Sequence, residues 1–209
     1  MVLPLEACQT GQTAQGPSHH ALKMPGSAYP ITSPFGTWLN MPGCSNKRRK
    51  KSHSGIDIPA PRGTAVYSPV YGKVTASDFS TKDASGRRTY GGNVIHVEPS
   101  YAKAVKIVEF AHLDRRLVTV GDYVKPGQQI GTVGGSGLRG CPAHLHFSVF
   151  TGWDSAKGRF IKSDPIPFLT GPDGEILCVD PKREYKRARV SSAAENSEPA
   201  LLYPVACTR

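Results

Sequence analysis

The sequence predicts a mainly β fold, a compact antiparallel sheet or sandwich with irregular extensions at both ends. Three observations predict it. Short runs rich in β-branched residues recur between residues 55 and 150, each bounded by glycine or proline. The chain of 209 residues holds 22 Gly and 18 Pro, a composition of many turns and few long helices. No stretch of this region carries a 3.6-residue apolar period.

Taken in order, residues 1–28 are polar, Gly-rich and aperiodic, and read as a flexible leader. From "YPITSPFGTW" the pattern changes, and residues 29–169 read as one domain, the size that a chain of this length can bury around a single core. Its expected strands lie in "GIDIPA", "GTAVYSPVYGKVTASD", "GGNVIHVEP", "AVKIVEFAHL", "RRLVTV", "GQQIGTVGG" and "AHLHFSVF". Val120 to Gly137, "VGDYVKPGQQIGTVGGSG", is the hairpin pattern of a lipoyl-like half-sandwich with Gly at its corners. A cofactor carrier would need a lysine at an exposed hairpin tip; Lys125 precedes a proline, so a carrier is not expected. Residues 170–209 turn polar and basic and read as an appended extension, with a short helix at most over "PKREYKRARV".

The net charge of +10 calls for an anionic partner: nucleic acid, an acidic membrane surface or an anionic wall polymer. No apolar run is long enough to span a bilayer, and "MVLPLEACQT" lacks the basic and hydrophobic regions of a signal peptide. Five cysteines, Cys8, Cys44, Cys141, Cys178 and Cys207, stand far apart with no C-x-x-C pair, which argues against a thiolate zinc site. One or two disulfides with a leftover thiol fit an oxidising compartment, though the pairing is not readable.

The chemistry begins at "CPAHLHFSVF". With period two, His144, His146 and Ser148 share one face of a strand while Leu145, Phe147 and Val149 face the core. The two imidazoles then stand about 6.6 Å apart and lean into one space, which suits a metal ligand beside a base. An H-x-H pair alone fits an exposed sheet face equally well. A second cluster, "HSGIDIPAP", sets His53 four residues before Asp57. Those positions lie about 13 Å apart on an extended strand, too far for one metal. Gly55 and Pro59 disfavour a helix, so a bend at Ser54-Gly55 is expected to swing His53 back toward Asp57. His53, Asp57 and one histidine of the H-x-H pair make two imidazoles and a carboxylate, the ligand set of a catalytic zinc with an open position. Such a zinc brings the pKa of a bound water to about 7 and polarises a carbonyl, as amide hydrolysis requires. There is no H-E-x-x-H glutamate to act as base, so a histidine must, and His144 and the His112 of "FAHLDRR" are available.

The segments "ITSPFG", "HSGIDIPAPRGTAVYS", "GKV", "GGNVIHV", "FAHL", "VGDYVKPGQQIGTVGGSG", "HLHF" and "DPIPFL" follow one another over residues 29–169. In that order they resemble the LytM-type zinc metallopeptidases of the lysostaphin family, peptidase M23. The resemblance implies a lipoyl-like duplicated hybrid β motif and one Zn2+ per chain, held by His53, Asp57 and His146. It implies that His112 and His144 are the catalytic histidines that deprotonate water and stabilise the oxyanion. It further implies an enzyme acting outside the cytoplasm, in the periplasm or cell wall, on the peptide cross-links of peptidoglycan. Of the family's substrates, D-Ala to diaminopimelate links are expected here ahead of glycine-rich bridges. The anionic partner is then the wall polymer and not nucleic acid. The alternative is a LytM-type non-catalytic module that activates a cell-wall amidase; such modules typically lack zinc ligands. An immunity or secretion partner would mark the chain as a delivered antibacterial toxin or a wall-opening enzyme.

Three positions depart from the family pattern: Trp38 stands near a frequent arginine, Cys141-Pro142-Ala143 replaces Gly-Pro, and Ser148 stands where an acidic residue is common. Cys141 reads as a buried residue or disulfide partner. In the leader, His19 and His20 read as solvated, with a latch over the zinc, in which Cys8 could join, as the sharper reading. His96 reads as a surface or groove residue. The basic runs Lys47 to Lys51 and Lys182 to Arg189 read as solvated charge or as attraction for the wall polymer.

Overall fold

Ten strands and one short helix make up the computed structural model, which describes residues 29–47, 49, 51–82, 88–171, 174–185 and 201–207. The strands are β1 (Ile56–Pro59), β2 (Ala65–Tyr67), β3 (Gly72–Lys82), β4 (Arg88–Pro99), β5 (Ile107–Leu113), β6 (Arg115–Arg116), β7 (Tyr123–Val124), β8 (Gln129–Thr132), β9 (His144–Asp154) and β10 (Arg159–Ser163). The helix α1 (Ile166–Leu169) is a single turn after Pro165. The leader, with Cys8, His19 and His20, lies outside the described residues, as do residues 186–200.

The principal sheet is antiparallel, in the order β1-β9-β5-β4-β3-β7, with β10 also paired to β9. A smaller sheet orders β2-β8-β6. The fold is therefore mainly antiparallel β, as the alternating runs predict. Two elements differ from expectation. Only Arg115 and Arg116 of "RRLVTV" pair as a strand, and a β9–β10 hairpin extends the sheet where no strand was expected, because "RFIKS" lacks an apolar alternation.

The core lies on one face of the principal sheet. Ile56 and Ile58 of β1, Val108 and Phe110 of β5, and Leu145, Phe147 and Val149 of β9 are all fully buried, and the Phe110 and Phe147 rings meet edge to face at 5.5 Å. Each such side chain contributes roughly 1.5–3 kcal/mol by leaving water. Burial on one face fixes the register, since a one-residue slip would turn every histidine of β9 into the core.

The described parts of residues 170–209 are built into this domain, which corrects their reading as an appended extension. Ile176, Leu201, Tyr203 and Val205 belong to the same core cluster as Leu169. Their sequence neighbours are polar, which masks four apolar anchors in a segment without period. The Tyr203 hydroxyl donates to the Tyr29 carbonyl at 2.8 Å. Disulfides join Cys178 to Cys207 and Cys44 to Cys141.

Candidate metal centre

β9 runs between β1 and β5, so both neighbours can deliver side chains to its histidines. The β1–β9 register sets Asp57 opposite His146, and the β5–β9 register sets Ala111, the residue before His112, opposite His146 from the other side. His53 arrives from the loop before β1 through a bend at Gly55. A Cβ at Gly55 would fall on the Phe147 carbonyl and 2.6 Å from the Ser148 hydroxyl. Glycine is thus required by close approach to β9, and by no special φ.

His53, Asp57 and His146 are buried and converge. Asp57 Oδ1 lies 3.1 Å from His53 Nε2 and 2.9 Å from His146 Nδ1, and those two nitrogens are 3.0 Å apart. Ligands of a tetrahedral zinc at about 2.1 Å stand roughly 3.4 Å from one another, so the donor set fits that ion. The tautomers fit as well. His53 Nδ1 is 3.0 Å from the Pro34 carbonyl, which can only accept, so the proton sits on Nδ1 and Nε2 turns a lone pair to the centre. His146 Nε2 is 2.9 Å from the Ser148 hydroxyl, which can accept its proton and leave Nδ1 free to ligate.

His112 and His144 stand on the open side of this group. Their rings are 5.0 Å apart, and the His112 ring is 5.7 Å from that of His146. His144 Nε2 is 3.6 Å from Asp57 Oδ1. Each donates Nδ1–H to a main-chain carbonyl, His144 to Pro142 at 3.0 Å and His112 to Ser136 at 3.2 Å. Both Nε2 atoms are therefore left as proton acceptors. His112 reaches its place through an irregularity in the β4–β5 register and a left-handed backbone, φ 64°. Such conformations are costly outside glycine and concentrate at functional sites.

Electrostatics keep the site in a ligating state. With no metal bound, burial raises the Asp57 pKa, yet the imidazoles of His146 and His53, protonated on the nitrogens that face it, more than offset this, and the carboxyl stays well below its usual range; the metal would take the place of those protons. Burial lowers the pKa of His146. Burial, then the neighbouring rings of His146 and His144, pushes His112 down to about 3. Neutral imidazoles and an ionised carboxylate are the forms a metal requires.

Several residues at the site were not anticipated. Arg49 is no solvated charge: its guanidinium bonds Asp57 Oδ2 at 2.5 Å, the Ser33 hydroxyl at 2.8 Å and the Leu39 carbonyl at 3.0 Å. Its backbone N–H donates to the Trp38 carbonyl at 2.8 Å, so chain reversal brings an arginine beside the position where the family pattern led one to be expected. His96 is paired with Glu109 at 2.9 Å, and Lys162 approaches the same carboxylate at 3.7 Å. Burial raises the Glu109 pKa, but Lys162 and His96 outweigh it and hold the group well below its usual value. Cys141 is disulfide-bonded to Cys44, clamping the loop before β9 to the loop that carries Arg49.

Comparison with known proteins agrees with this geometry. The profile described as "Peptidase family M23" matches residues 51–159. The chain is 31% identical to Peptidoglycan DD-endopeptidase ShyC of Vibrio cholerae over 66% of this chain and 29% of that protein. It is 33% identical to lysostaphin of Staphylococcus staphylolyticus over 64% of this chain and 26% of that protein. The chain thus spans less than a third of these relatives' lengths. The solved structure of LytU superposes with a TM-score of 0.51 at 31% identity, covering 66% of this chain and 83% of that one.

Proposed function

The chain belongs to peptidase family M23, and from that premise we propose that it is a zinc-dependent endopeptidase hydrolysing the peptide cross-links of bacterial peptidoglycan. The observation that carries the reading is the convergence of three buried donors with two further histidines whose Nε2 atoms are free. His53, Asp57 and His146 would hold one Zn2+, which when bound supplies a Lewis acid for a scissile carbonyl and acidifies water.

His112 and His144 do the proton work. A neutral imidazole with Nδ1–H tied to a carbonyl accepts at Nε2 the proton of the water that attacks the amide carbon. The resulting imidazolium holds the oxygen as negative charge develops on it, then passes the proton to the amine as the C–N bond breaks. Two histidines with rings 5.0 Å apart share these duties.

D-Ala to diaminopimelate is the bond we assign, a choice supported by the likeness to ShyC, a peptidoglycan DD-endopeptidase. Action outside the cytoplasm is supported by the two disulfides. Delivery as an antibacterial toxin or use in opening a wall remains within the same chemistry. The test is mass spectrometry of fragments released from purified peptidoglycan, with and without a zinc chelator. Conversion of cross-linked dimers to monomers, stopped by the chelator, is the expected result, and the masses identify the bond. Zinc-loaded protein that releases nothing would overturn the proposal.

A further inference from the structure

Beyond the metal group, the face of β9 that carries His144, His146 and Ser148 continues toward the β9–β10 hairpin as a row of aromatic rings. Phe150 stacks on Phe160 at 5.2 Å and an interplanar angle of 21°, and Phe160 meets Trp153 edge-on at 4.9 Å. Strict alternation would send Trp153 to the opposite face from Phe150, three residues earlier. A register shift prevents this: Lys162 pairs with Phe150 but Ile161 pairs with Gly152, so Thr151 is an extra residue on β9. The bulge turns Trp153 onto the face of the histidines, a known use of bulges beside sites. Trp153 is left 50% exposed, with no covering element among the described residues. Lys162 fills the gap between the rings and the metal group. Its ammonium lies 4.9 Å from the Phe150 centroid and donates to the Ser54 hydroxyl at 3.3 Å, one residue from His53.

We infer that Trp153 and Phe160 form a shelf that binds the glycan strand of the substrate, a β-1,4-linked chain of N-acetylhexosamines. The inference rests on the proposed action on peptidoglycan. A pyranose presents a face of C–H bonds that stacks on an aromatic ring, and a large exposed indole pinned by a second ring is the side chain suited to receive it. Distance selects the glycan over the peptide. Phe150 lies four strand residues beyond His146 and Trp153 seven, of which the bulged Thr151 adds little length, or about 13 and 20 Å. A peptide arm of about four to six extended residues spans roughly 13–21 Å, the separation between a cross-link at the metal and the sugar that bears it.

The sequence contains two tryptophans, so a Trp38→Phe chain reports on Trp153 alone. Titration of that chain with peptide-free glycan strands is expected to change its emission saturably. Binding of the same strands should weaken by about tenfold or more in Trp153→Ala and persist in Trp153→Tyr. On intact sacculi Trp153→Ala should cut about tenfold more slowly than the parent, while a sugar-free cross-linked peptide is cut at the parent rate. No emission change, or an equal loss on both substrates, overturns the shelf. A parent chain that cuts neither substrate defeats the proposed peptidase activity, and the titration with peptide-free glycan still decides the shelf.

Discussion

Arg49 Nη2 lies 2.5 Å from Asp57 Oδ2, while Asp57 Oδ1 faces His53 and His146. The two carboxylate oxygens are thereby given different partners, one a fixed cation and the other the metal group. Ser33 extends the pairing, since its hydroxyl accepts from Arg49 and stands 3.4 Å from His53 Nδ1. Arg49→Ala should weaken zinc binding by roughly 10–100-fold, the usual effect of losing a partner that orients a ligand. Arg49→Lys should retain part of the affinity, lacking the forked geometry but keeping the charge. Competition with a chromophoric chelator measures both, and unchanged affinity in the alanine variant would show that the pair serves only to anchor the loop.

Removing the proton acceptors should separate chemistry from metal binding. His112→Ala and His144→Ala are each expected to lower kcat by about 10²–10⁴-fold while one zinc per chain is retained. Loss of zinc in either variant would move that histidine into the ligand set.

Acid should destabilise the metal-free protein. Burial and neighbouring rings hold His112 at about 3, and burial lowers His146, whereas in the unfolded chain both take up protons near pH 6.5. The unfolded state therefore binds more protons below that pH. Stability should be level above about pH 7 and fall as pH drops below about 6.5, by at most roughly 1.4 kcal/mol per pH unit for each histidine. Asp57, held low, adds a loss in the same direction only as pH falls through the carboxylate range. Melting curves between pH 8 and 5 test this, and a melting temperature that rises on acidification would contradict it.

Gly55→Ala should be among the most damaging single changes outside the ligands. The new methyl collides with the β9 main chain at Phe147 and must push β1 and β9 apart. Overpacking of this kind costs roughly 1–3 kcal/mol or more. Both stability and zinc affinity should fall together, because the displaced segment carries His53 and Asp57. A variant that melts with the parent would show that the strands have room to part.

How far the sequence foretold this site depended on the kind of signal each residue carries. Alternation in "AHLHFSVF" located His144 and His146 on one face because a buried opposite face enforces the period. The glycine beside His53 announced a bend, though the tight contact that demands it comes from β9, far away in sequence. The residues around it marked His112 only as an available histidine, and the catalytic role came from the family resemblance, since the bulge and positive φ that aim it leave no periodic trace. Arg49 was hidden in a run of like charges, and its role depends on the loop path that brings Ser33, Leu39 and Asp57 around it. The same limit applies to Trp153, whose face is decided by one extra residue in β9.

The bond from Tyr203 to Tyr29 closes a loop of 174 residues and places the start of the domain beside its finish. A chain clasped in this way is a ring with a nick in it. A permuted chain in which a flexible linker joins residue 207 to residue 29 and new termini are cut at the exposed Ser155–Lys157 turn should keep every strand pairing of the metal centre. The order of residues along the chain would then be changed while the order of strands in the sheet, on which the centre depends, would not.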